Sequence, residues 1–412
     1  MILENKNIEY KINPERLRFL IDLYKLSNEE FLSLLKGKNI KPVLTSQQLE
    51  SVLHGKLKVS ESVLKKIDSV FERGLTWYIS KRDLPGRENL SVFFRKDKFN
   101  SELNLGAIKK IEEYEKIKTE IDSMCSYINY NAERKMQYSL SDDPKEVAAI
   151  VRQGFIKEEI RLNRKSIFNS QLEDRKFLEG LIRLIEEFNV FVFEFVDLKK
   201  KEELRSAFNG FYIRNNLIVI KRQDYFKREI FTLMHEFGHY LIDKEEIDKI
   251  TGEELIDKSG DIEKWCNDFA YYFLSGNYDA KLKVLSFASI ENDFHEETVK
   301  EIAFRTHLSS LALYTRMRIN ERISYADYER IKKDTKRIMQ EIKESNAEEL
   351  KQKKQLAELK GETYFIPPKK TIESKLYKEL IKINYFEGNI SESKVIESLN
   401  IKNKSIEEVI YS

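Results

Sequence analysis

The stretch FTLMHEFGHYLID, residues 231–243, carries the most specific signal in the sequence. It places His235 and His239 four residues apart in an otherwise apolar run, and Glu236 directly follows the first histidine. Residues four apart lie on one face of an α-helix, so the two imidazoles can reach a single ion. The stretch therefore predicts a buried helix that carries two metal ligands.

The chemistry of these residue types indicates zinc. Neutral imidazole is a good zinc ligand, and a glutamate beside the metal suits a general base that takes a proton from water. An ordinary core helix with two hydrogen-bonded histidines is the alternative interpretation. The apolar residues around His235 and His239 favour the metal, because unpaired polar groups in a buried helix are costly. We expect one Zn²⁺ per chain, with Glu236 as the catalytic base.

A third protein ligand is expected in DIEKWCNDFAYYFLSG, residues 261–276. A catalytic zinc needs three protein ligands and an open position. Glu263 and Asn267 share one face of the predicted helix. Glu263 would complete the ligand set, and Asn267 would orient a ligand histidine through its second ring nitrogen. The sequence leaves four other candidates for the third ligand open, namely Cys266, Asp257, Asp261 and Asp268.

The segments around the two motifs combine several helices with a few strands. VFVFEFV (residues 190–196) is predicted as a buried strand after an amphipathic helix. FNGFYI (208–213) and NLIVIKR (216–222) are separated by Arg214 and Asn215 and predict a hairpin. Helices are expected at 261–275 and at 296–320. The fold class is therefore mainly α with a small β-sheet, an α+β fold.

The first 75 residues predict four short helices with clear start signals. Ser27 stands three residues before Glu30, and Thr45 three residues before Gln48, which is the spacing of a capping box. Short capped helices joined by brief turns are typical of a helix-turn-helix domain. Residues 1–100 carry 19 Lys and Arg against 13 Asp and Glu, and this mild basic excess permits a nucleic-acid partner.

The chain is long enough for several domains, because it has 412 residues. A highly charged helical stretch after Tyr325 lacks a sustained heptad pattern, which favours a solvated arm over a coiled coil. The predicted divisions are a helix-turn-helix domain at 1–90, a linking helix at 91–130, a catalytic domain at 131–322, a charged helical arm at 323–365 and a small C-terminal helical unit at 366–412.

The composition favours a globular protein over a disulfide-rich or membrane-spanning one. Charged residues make up 34% of the chain and hydrophobic residues 41%, which suits a helix-rich globular protein. Only Cys125 and Cys266 are cysteines, so a disulfide framework and an all-cysteine zinc site are both excluded. The sequence has no apolar run of about 20 residues and no signal-peptide pattern. We therefore expect a cytoplasmic protein that does not enter a membrane.

Residues 143–320 resemble the ImmA/IrrE family of zinc metallopeptidases. The order and spacing of several segments are more specific than the histidine motif alone. The resemblance implies a zincin-like fold, in which His235, His239 and Glu263 bind the metal and Glu236 is the catalytic base. The segments that carry it are DPKEVAAIVRQGF, LIRLIEEFNVFVFEF, NGFYIRNNLIVIKR, REIFTLMHEFGHYL, EKWCNDFAYYFL and LSSLALYTRMR.

The resemblance extends to the amino-terminal region, which is similar to Xre/Cro-type helix-turn-helix domains. It implies a protease that cleaves a small helix-turn-helix repressor and so controls stress-response or mobile-element genes. Gln47 and Gln48 would face bases if residues 1–90 bind DNA. The connection KGKNIKPVL is longer than the usual turn, and TSQQLESVL has no Arg or Lys. Two alternatives therefore remain: a transcriptional regulator, and a phage-defence or toxin–antitoxin component, either using the peptidase fold without proteolysis.

Overall fold

The computed structural model describes residues 9–24, 26–36, 43–82, 84, 104–131, 133–169, 171–197, 204–245, 260–365 and 369–401. The chain divides into two compact units. The first unit consists of residues 1–113 with 198–207, and the second of residues 114–197 with 208–412. The described residues are mostly helical with two small sheets, as an α+β class requires.

The first unit is a set of short helices around an apolar core. The capping boxes at Ser27 and Thr45 are both present, because each side chain accepts the backbone N–H three residues later. Phe31 and Phe71 stack in the core with ring centroids 5.3 Å apart. In chain order the elements are β1 (Glu9–Tyr10), α1 (Pro14–Leu23), α2 (Asn28–Leu35), α3 (Ser46–Leu53), β2 (Val59–Ser60), α4 (Glu61–Phe71) and α5 (Leu75–Ile79).

The two-stranded sheet in this unit was not predicted from the sequence. β1 pairs with β2 in antiparallel register, with Glu9 opposite Ser60 and Tyr10 opposite Val59. Each strand has only two residues, so no periodic pattern could reveal it. Most of the connection 36–44 and of the turn-rich stretch after residue 82 lies outside the described residues. The helix α6 (Leu105–Tyr127) follows, and the division between the two units falls inside it.

The second unit holds the predicted metal ligands. Its first helices are α7 (Pro144–Arg161) and α8 (Asp174–Glu186). The strands β3 (Phe191–Phe195), β4 (Gly210–Ile213) and β5 (Leu217–Lys221) follow, and then α9 (Phe226–Ile242). The later helices are α10 (Asp261–Ser275), α11 (Tyr278–Lys283), α12 (Glu296–Thr306), α13 (Ser310–Ile319), α14 (Tyr325–Leu359), α15 (Lys375–Phe386) and α16 (Glu392–Ser398). Two 3-10 helices span Ile167–Asn169 and Ile290–His295.

The three strands form a mixed sheet in the order β3-β5-β4. β5 pairs in parallel with β3, where Phe193 lies opposite Val219, and antiparallel with β4, where Phe211 lies opposite Val219. The predicted hairpin is thus confirmed. Its turn contains Asn215 at φ 82°, a left-handed conformation that asparagine adopts more easily than most residues. The sheet is a buried support for α9.

The prediction of one continuous helix over 296–320 is wrong, because the structure has two helices there. α12 ends at Thr306, and His307 is left-handed at φ 57°. Ser309 then caps α13, since its Oγ accepts the backbone N–H of Ala312 at 3.0 Å. The Nζ of Lys227 donates to the carbonyls of Ala303 (2.8 Å) and Leu308 (3.3 Å), so the break also has a cationic cap.

The charged stretch after Tyr325 is the single helix α14, which has 35 residues. Only Tyr328 and Ala357 are buried along it. Its outward side chains form ion pairs one turn apart, such as Lys353 with Glu349 at 2.6 Å. These features agree with a solvated arm. Within the described part of the chain, no helix combines the length and the apolar character needed to cross a bilayer.

Candidate metal centre

The two histidines of the motif meet on the buried side of α9. His235 and His239 are both fully shielded from solvent, and their Nε2 atoms lie 3.1 Å apart. Gly238 makes room for the neighbouring helix, because a Cβ there would lie 3.2 Å from the Cα of Cys266 on α10. The close approach of these two helices brings the carboxylate side chains of α10 within reach of the imidazoles.

Glu263, in the first turn of α10, completes a compact group. Its Oε2 lies 3.1 Å from the Nε2 of His235, and its Oε1 lies 3.3 Å from the Nε2 of His239. Donor atoms of all three side chains fall within 4.8 Å of one another, and this is the one such group found among the described residues. The structure thus brings the three predicted ligands together, although their role as ligands stays a prediction.

Hydrogen bonds on the far side of each ring set the imidazole orientation. The Nδ1 of His239 lies 3.0 Å from the carbonyl oxygen of Lys244, which can only accept. That nitrogen therefore carries the proton, and the lone pair of a neutral ring is left on Nε2. The Nδ1 of His235 lies 2.9 Å from the Oδ1 of Asn267, one turn after Glu263. Such outer partners are typical of metal-binding histidines.

Burial and charge favour the protonation states that a metal site requires. Burial lowers the pKa of His239, so its ring is neutral at pH 7. Burial by itself would raise the pKa of Glu263, but contact with His235 and His239 outweighs it and holds that pKa well below its usual range. A neutral imidazole and an ionised carboxylate are the forms that bind a divalent cation.

The residues present fit a zinc ion. Both oxygens of Glu263 are buried, and they accept no hydrogen bond from the described residues. A buried carboxylate without hydrogen-bond donors is costly unless a cation neutralises it. Two imidazole nitrogens and one carboxylate also form a known donor set for catalytic zinc, which keeps a fourth position open.

Glu236 directly follows His235 on α9, and its side chain packs against Gly210 of the edge strand β4. It is 1% exposed and is not one of the three clustered side chains. A Cβ at Gly210 would lie 3.0 Å from the Cγ of Glu236 and 2.7 Å from the Cγ2 of Thr232. Gly210 was not among the predicted site residues, although a glycine inside a strand often marks a close approach. Any side chain at this position would displace Glu236 or Thr232.

The other candidates for the third ligand lie outside the group. Cys266 packs against Gly238, and Asp261 is an exposed residue at the start of α10. Asp268 accepts from the Nη1 of Arg316 at 2.6 Å. Asp257 lies outside the described residues. Among the described candidates, Glu263 is therefore the one placed to complete the site.

The two glutamines proposed for DNA contact differ in their surroundings. The Oε1 of Gln48 accepts the backbone N–H of Thr45 at 2.9 Å, so its amide oxygen is used in the capping box of α3. Gln47 is exposed beside it. Gln47 is therefore the more available of the two, and DNA contact stays a prediction.

Asn267 offers a test of the outer hydrogen bond. Asn267→Ala should weaken zinc binding by about 10- to 100-fold, because His235 loses the acceptor that orients its ring. Asn267→Asp keeps an acceptor oxygen and should therefore retain most of the wild-type zinc affinity. Competition with a chromogenic chelator measures both variants. Wild-type affinity in the alanine variant would contradict this role.

A buried pair of carboxyl groups lies at the start of the same helix. Glu229 in α9 and Glu194 in β3 share the cations Arg175 and Arg222, with the Nη1 of Arg175 2.7 Å from Glu194 and the Nη1 of Arg222 3.1 Å from Glu229. Burial, with the neighbouring Glu194 carboxylate, raises the pKa of Glu229 to about 8. Glu229 is therefore protonated in the folded chain at neutral pH.

This raised pKa predicts a pH-dependent loss of stability. Between about pH 4.5 and 8 the folded state holds a proton that the unfolded state has lost, so the free energy of unfolding falls as pH rises. The slope is at most about 1.4 kcal/mol per pH unit. Glu229→Gln resembles the protonated form and should remove this slope in urea unfolding at pH 5–8. The exposed Glu179→Gln is the control, and equal slopes in Glu229→Gln and wild type would refute the assignment.

A known protein family matches the part of the chain that contains the metal centre. Residues 185–317 match the family model described as the IrrE N-terminal-like domain, Peptidase_M78. No curated protein matches the chain. The family is zinc-dependent in general, and the group of His235, His239 and Glu263 could bind a metal. The match supports the ImmA/IrrE resemblance and indicates a metallopeptidase-like role for residues 185–317.

Proposed function

We propose that the chain is a zinc-dependent endopeptidase that cleaves a repressor-like regulatory protein and thereby controls transcription. The observation that carries the proposal is the convergence of the two buried Nε2 atoms and the Glu263 carboxylate, on the helix where Glu236 directly follows His235. A structural cluster would satisfy its polar atoms internally, whereas both Glu263 oxygens lack a hydrogen bond from the described residues.

His235, His239 and Glu263 would hold the metal. When bound there, zinc supplies Lewis acidity and makes a water molecule acidic enough to lose a proton near neutral pH. Glu236 acts as the general base for that proton and then delivers it to the leaving amine. Its side chain packs against Gly210, and it is not one of the three clustered donors.

The substrate class in this proposal comes from the resemblance and from the organisation of the chain. A family that cleaves helix-turn-helix repressors suggests a small DNA-binding protein as substrate. The short capped helices of the first unit would supply selectivity by docking that protein or by contacting DNA through residues 1–90. The exposed Gln47 at the start of α3 is the residue we assign to base contact.

Cleavage of a defined partner tests the proposal. The full chain, loaded with one equivalent of Zn²⁺, is mixed with a small helix-turn-helix repressor encoded beside it, and the products are identified by mass spectrometry. We expect one or a few cuts, which a chelator prevents. Repressor binding without cleavage would instead support a regulator that uses the peptidase fold for contacts. Less than about half an equivalent of bound metal would undermine the ligand set.

A further inference from the structure

The second unit contains a cavity of about 570 Å³ away from the metal group. α7, the end of α10, the 3-10 helix at Ile167–Asn169 and the end of α12 contribute its walls. Tyr272 in its wall is nine residues after Glu263, or about 13 Å along the helix axis. The volume falls in the range of about 300–1,000 Å³ that small-molecule sites occupy. The cavity shares no residue with the metal centre.

Arg152 is the central cation of this cavity. Its Nη1 donates to the carbonyl oxygens of Phe273 and Leu274, which caps the end of α10. Its Nε and Nη2 groups donate no hydrogen bond to any described residue, and no described carboxylate forms an ion pair with it. Burial lowers the pKa of Arg152 to about 10 despite the more distant Glu159. A half-buried guanidinium without an anion is less favourable than a paired one, and a bound anion would neutralise it.

The backbone at Gly276 is shaped around this guanidinium. Gly276 has φ 49°, and a Cβ there would lie 3.1 Å from the Cζ of Arg152 and 3.3 Å from its Nε. The glycine lets the arginine lie flat against the end of α10 at the cavity wall. The cation is thus held in place by the fold before any ligand arrives.

The cavity wall is basic and contains no carboxylate among the described residues. Besides Arg152 it includes Arg305, Lys145 and His307, and the Nδ1 of His307 lies 2.6 Å from the Oδ1 of Asp174. Arg305 forms no hydrogen bond and no ion pair within 4 Å among the described residues, although its charge helps to lower the pKa of Glu301, one turn earlier. The Nζ of Lys145 lies 3.6 Å from the carboxylate of Asp279, which partly offsets its charge. Two guanidinium groups therefore remain for an anion.

Aromatic rings lie next to these cations. Phe168 stacks under Arg152, whose Cζ is 4.3 Å from the ring centroid. Tyr272, Tyr278 and Phe304 also line the cavity, and Phe304 is 56% exposed although it is a large apolar side chain. Planar rings beside guanidinium groups can stack a flat heterocycle while the cations bind its charged substituent.

We propose that this cavity binds a nucleotide, with its phosphate on Arg152 and Arg305 and its base against the aromatic side chains. Arginine matches the oxygens of a phosphate through paired hydrogen bonds. Phosphate beside a planar base occurs both in free nucleotides and at the phosphorylated end of a nucleic-acid strand. Nucleotide binding in this cavity does not depend on the proteolytic function, because the two sites share no side chain.

Calorimetric titration of the full chain with AMP, GMP, CMP and UMP tests the proposal. We expect at least one nucleotide to bind with a dissociation constant below about 1 mM. It should bind at least tenfold more tightly than inorganic phosphate or the matching nucleoside, since each lacks half of the contacts. A 5′-phosphorylated DNA decamer that binds more tightly than the nucleotide would identify a strand end as the source. Weaker binding of the decamer would identify the free nucleotide.

Two variants locate the binding. Arg152→Gln should weaken it by about tenfold or more, since a charge-assisted hydrogen bond is lost. Phe304→Ala should weaken it by about fivefold or more without disturbing the core, because this ring is mainly exposed. Arg161→Gln, on the same helix, and Phe386→Ala are controls that should bind as wild type. Glu263→Gln should also bind normally, which separates this site from the metal centre.

Three results would overturn the nucleotide assignment. The first is the absence of binding below about 1 mM for all four nucleotides. The second is inorganic phosphate binding as tightly as the best nucleotide, which would leave the aromatic side chains without a role. The third is unchanged affinity in Phe304→Ala. Because this ring is mainly exposed, the variant should fold normally, and unchanged affinity would mean that Phe304 does not contact the nucleotide.

Discussion

Glu236→Gln is expected to abolish peptide-bond hydrolysis while the protein keeps its metal. Loss of the general base should lower kcat/KM by about 10²- to 10⁴-fold. Zinc affinity should remain near wild type, because Glu236 lies outside the group formed by His235, His239 and Glu263. Cleavage of the repressor, followed by mass spectrometry, gives the activity, and a chelator competition gives the metal affinity.

A second buried carboxyl group provides the matched control. Glu229 lies on the same helix, and its raised pKa keeps it neutral at pH 7, so Glu229→Gln changes little charge there. That variant should cleave as wild type does. Repressor cleavage by Glu236→Gln at the wild-type rate would show that another group takes the proton. Loss of zinc from Glu236→Gln would mean that Glu236 is itself a ligand.

Glu263→Gln is expected to remove most of the metal affinity. The substitution keeps the volume of the side chain but removes the charge that faces the Nε2 atoms of His235 and His239. Loss of an outer partner alone weakens metal binding by about 10- to 100-fold, so loss of this ligand should exceed about 100-fold. Activity should fall with metal occupancy.

Thermal unfolding separates this effect from a folding defect. Zinc stabilises the wild type in proportion to the logarithm of its concentration over Kd, so the melting temperature rises on titration. We expect no such rise for Glu263→Gln at the same zinc concentrations. Asp261→Asn, two residues earlier and exposed, should respond as the wild type does. A wild-type shift in Glu263→Gln would exclude Glu263 as a ligand.

Much of the fold around the metal centre could be predicted from local patterns. The hairpin β4–β5 follows from β-branched residues on both sides of RNN, and α9 and α10 follow from apolar residues at helical spacing. The break at His307 could not be predicted, because its cationic cap comes from Lys227, about 80 residues earlier. The pairing of β1 with β2 depends on tertiary contacts that two residues cannot encode.

In the candidate site, too, contacts within one helix could be predicted and contacts between elements could not. Helical spacing places His235 with His239 and Glu263 with Asn267, since these relations lie within one helix. The carbonyl of Lys244 that orients His239 is a backbone atom, so no residue type at that position reveals it. The close approach of Gly210 to Glu236 joins two separate elements. Relations between elements need the three-dimensional structure.

The carboxyl pair at the start of α9 bears on how the peptidase part can be isolated. Glu194 accepts the backbone N–H of Ile372, and Arg175 donates to the carbonyl of Lys370 at 3.1 Å. The family match ends at residue 317, so a fragment cut there would remove the backbone groups of Lys370 and Ile372 that bond this cluster.

The family match also begins too late in the chain to include α7, which packs against both helices of the metal centre. Phe155 of α7 packs against Phe237 and Phe273, with ring centroids 5.8 Å and 5.4 Å apart, and the match begins only at residue 185. Removal of α7 would expose apolar rings on both helices that carry the metal group. The minimal folding unit of the centre therefore begins before residue 144 and extends beyond residue 372, well past the segment by which a family search would define it.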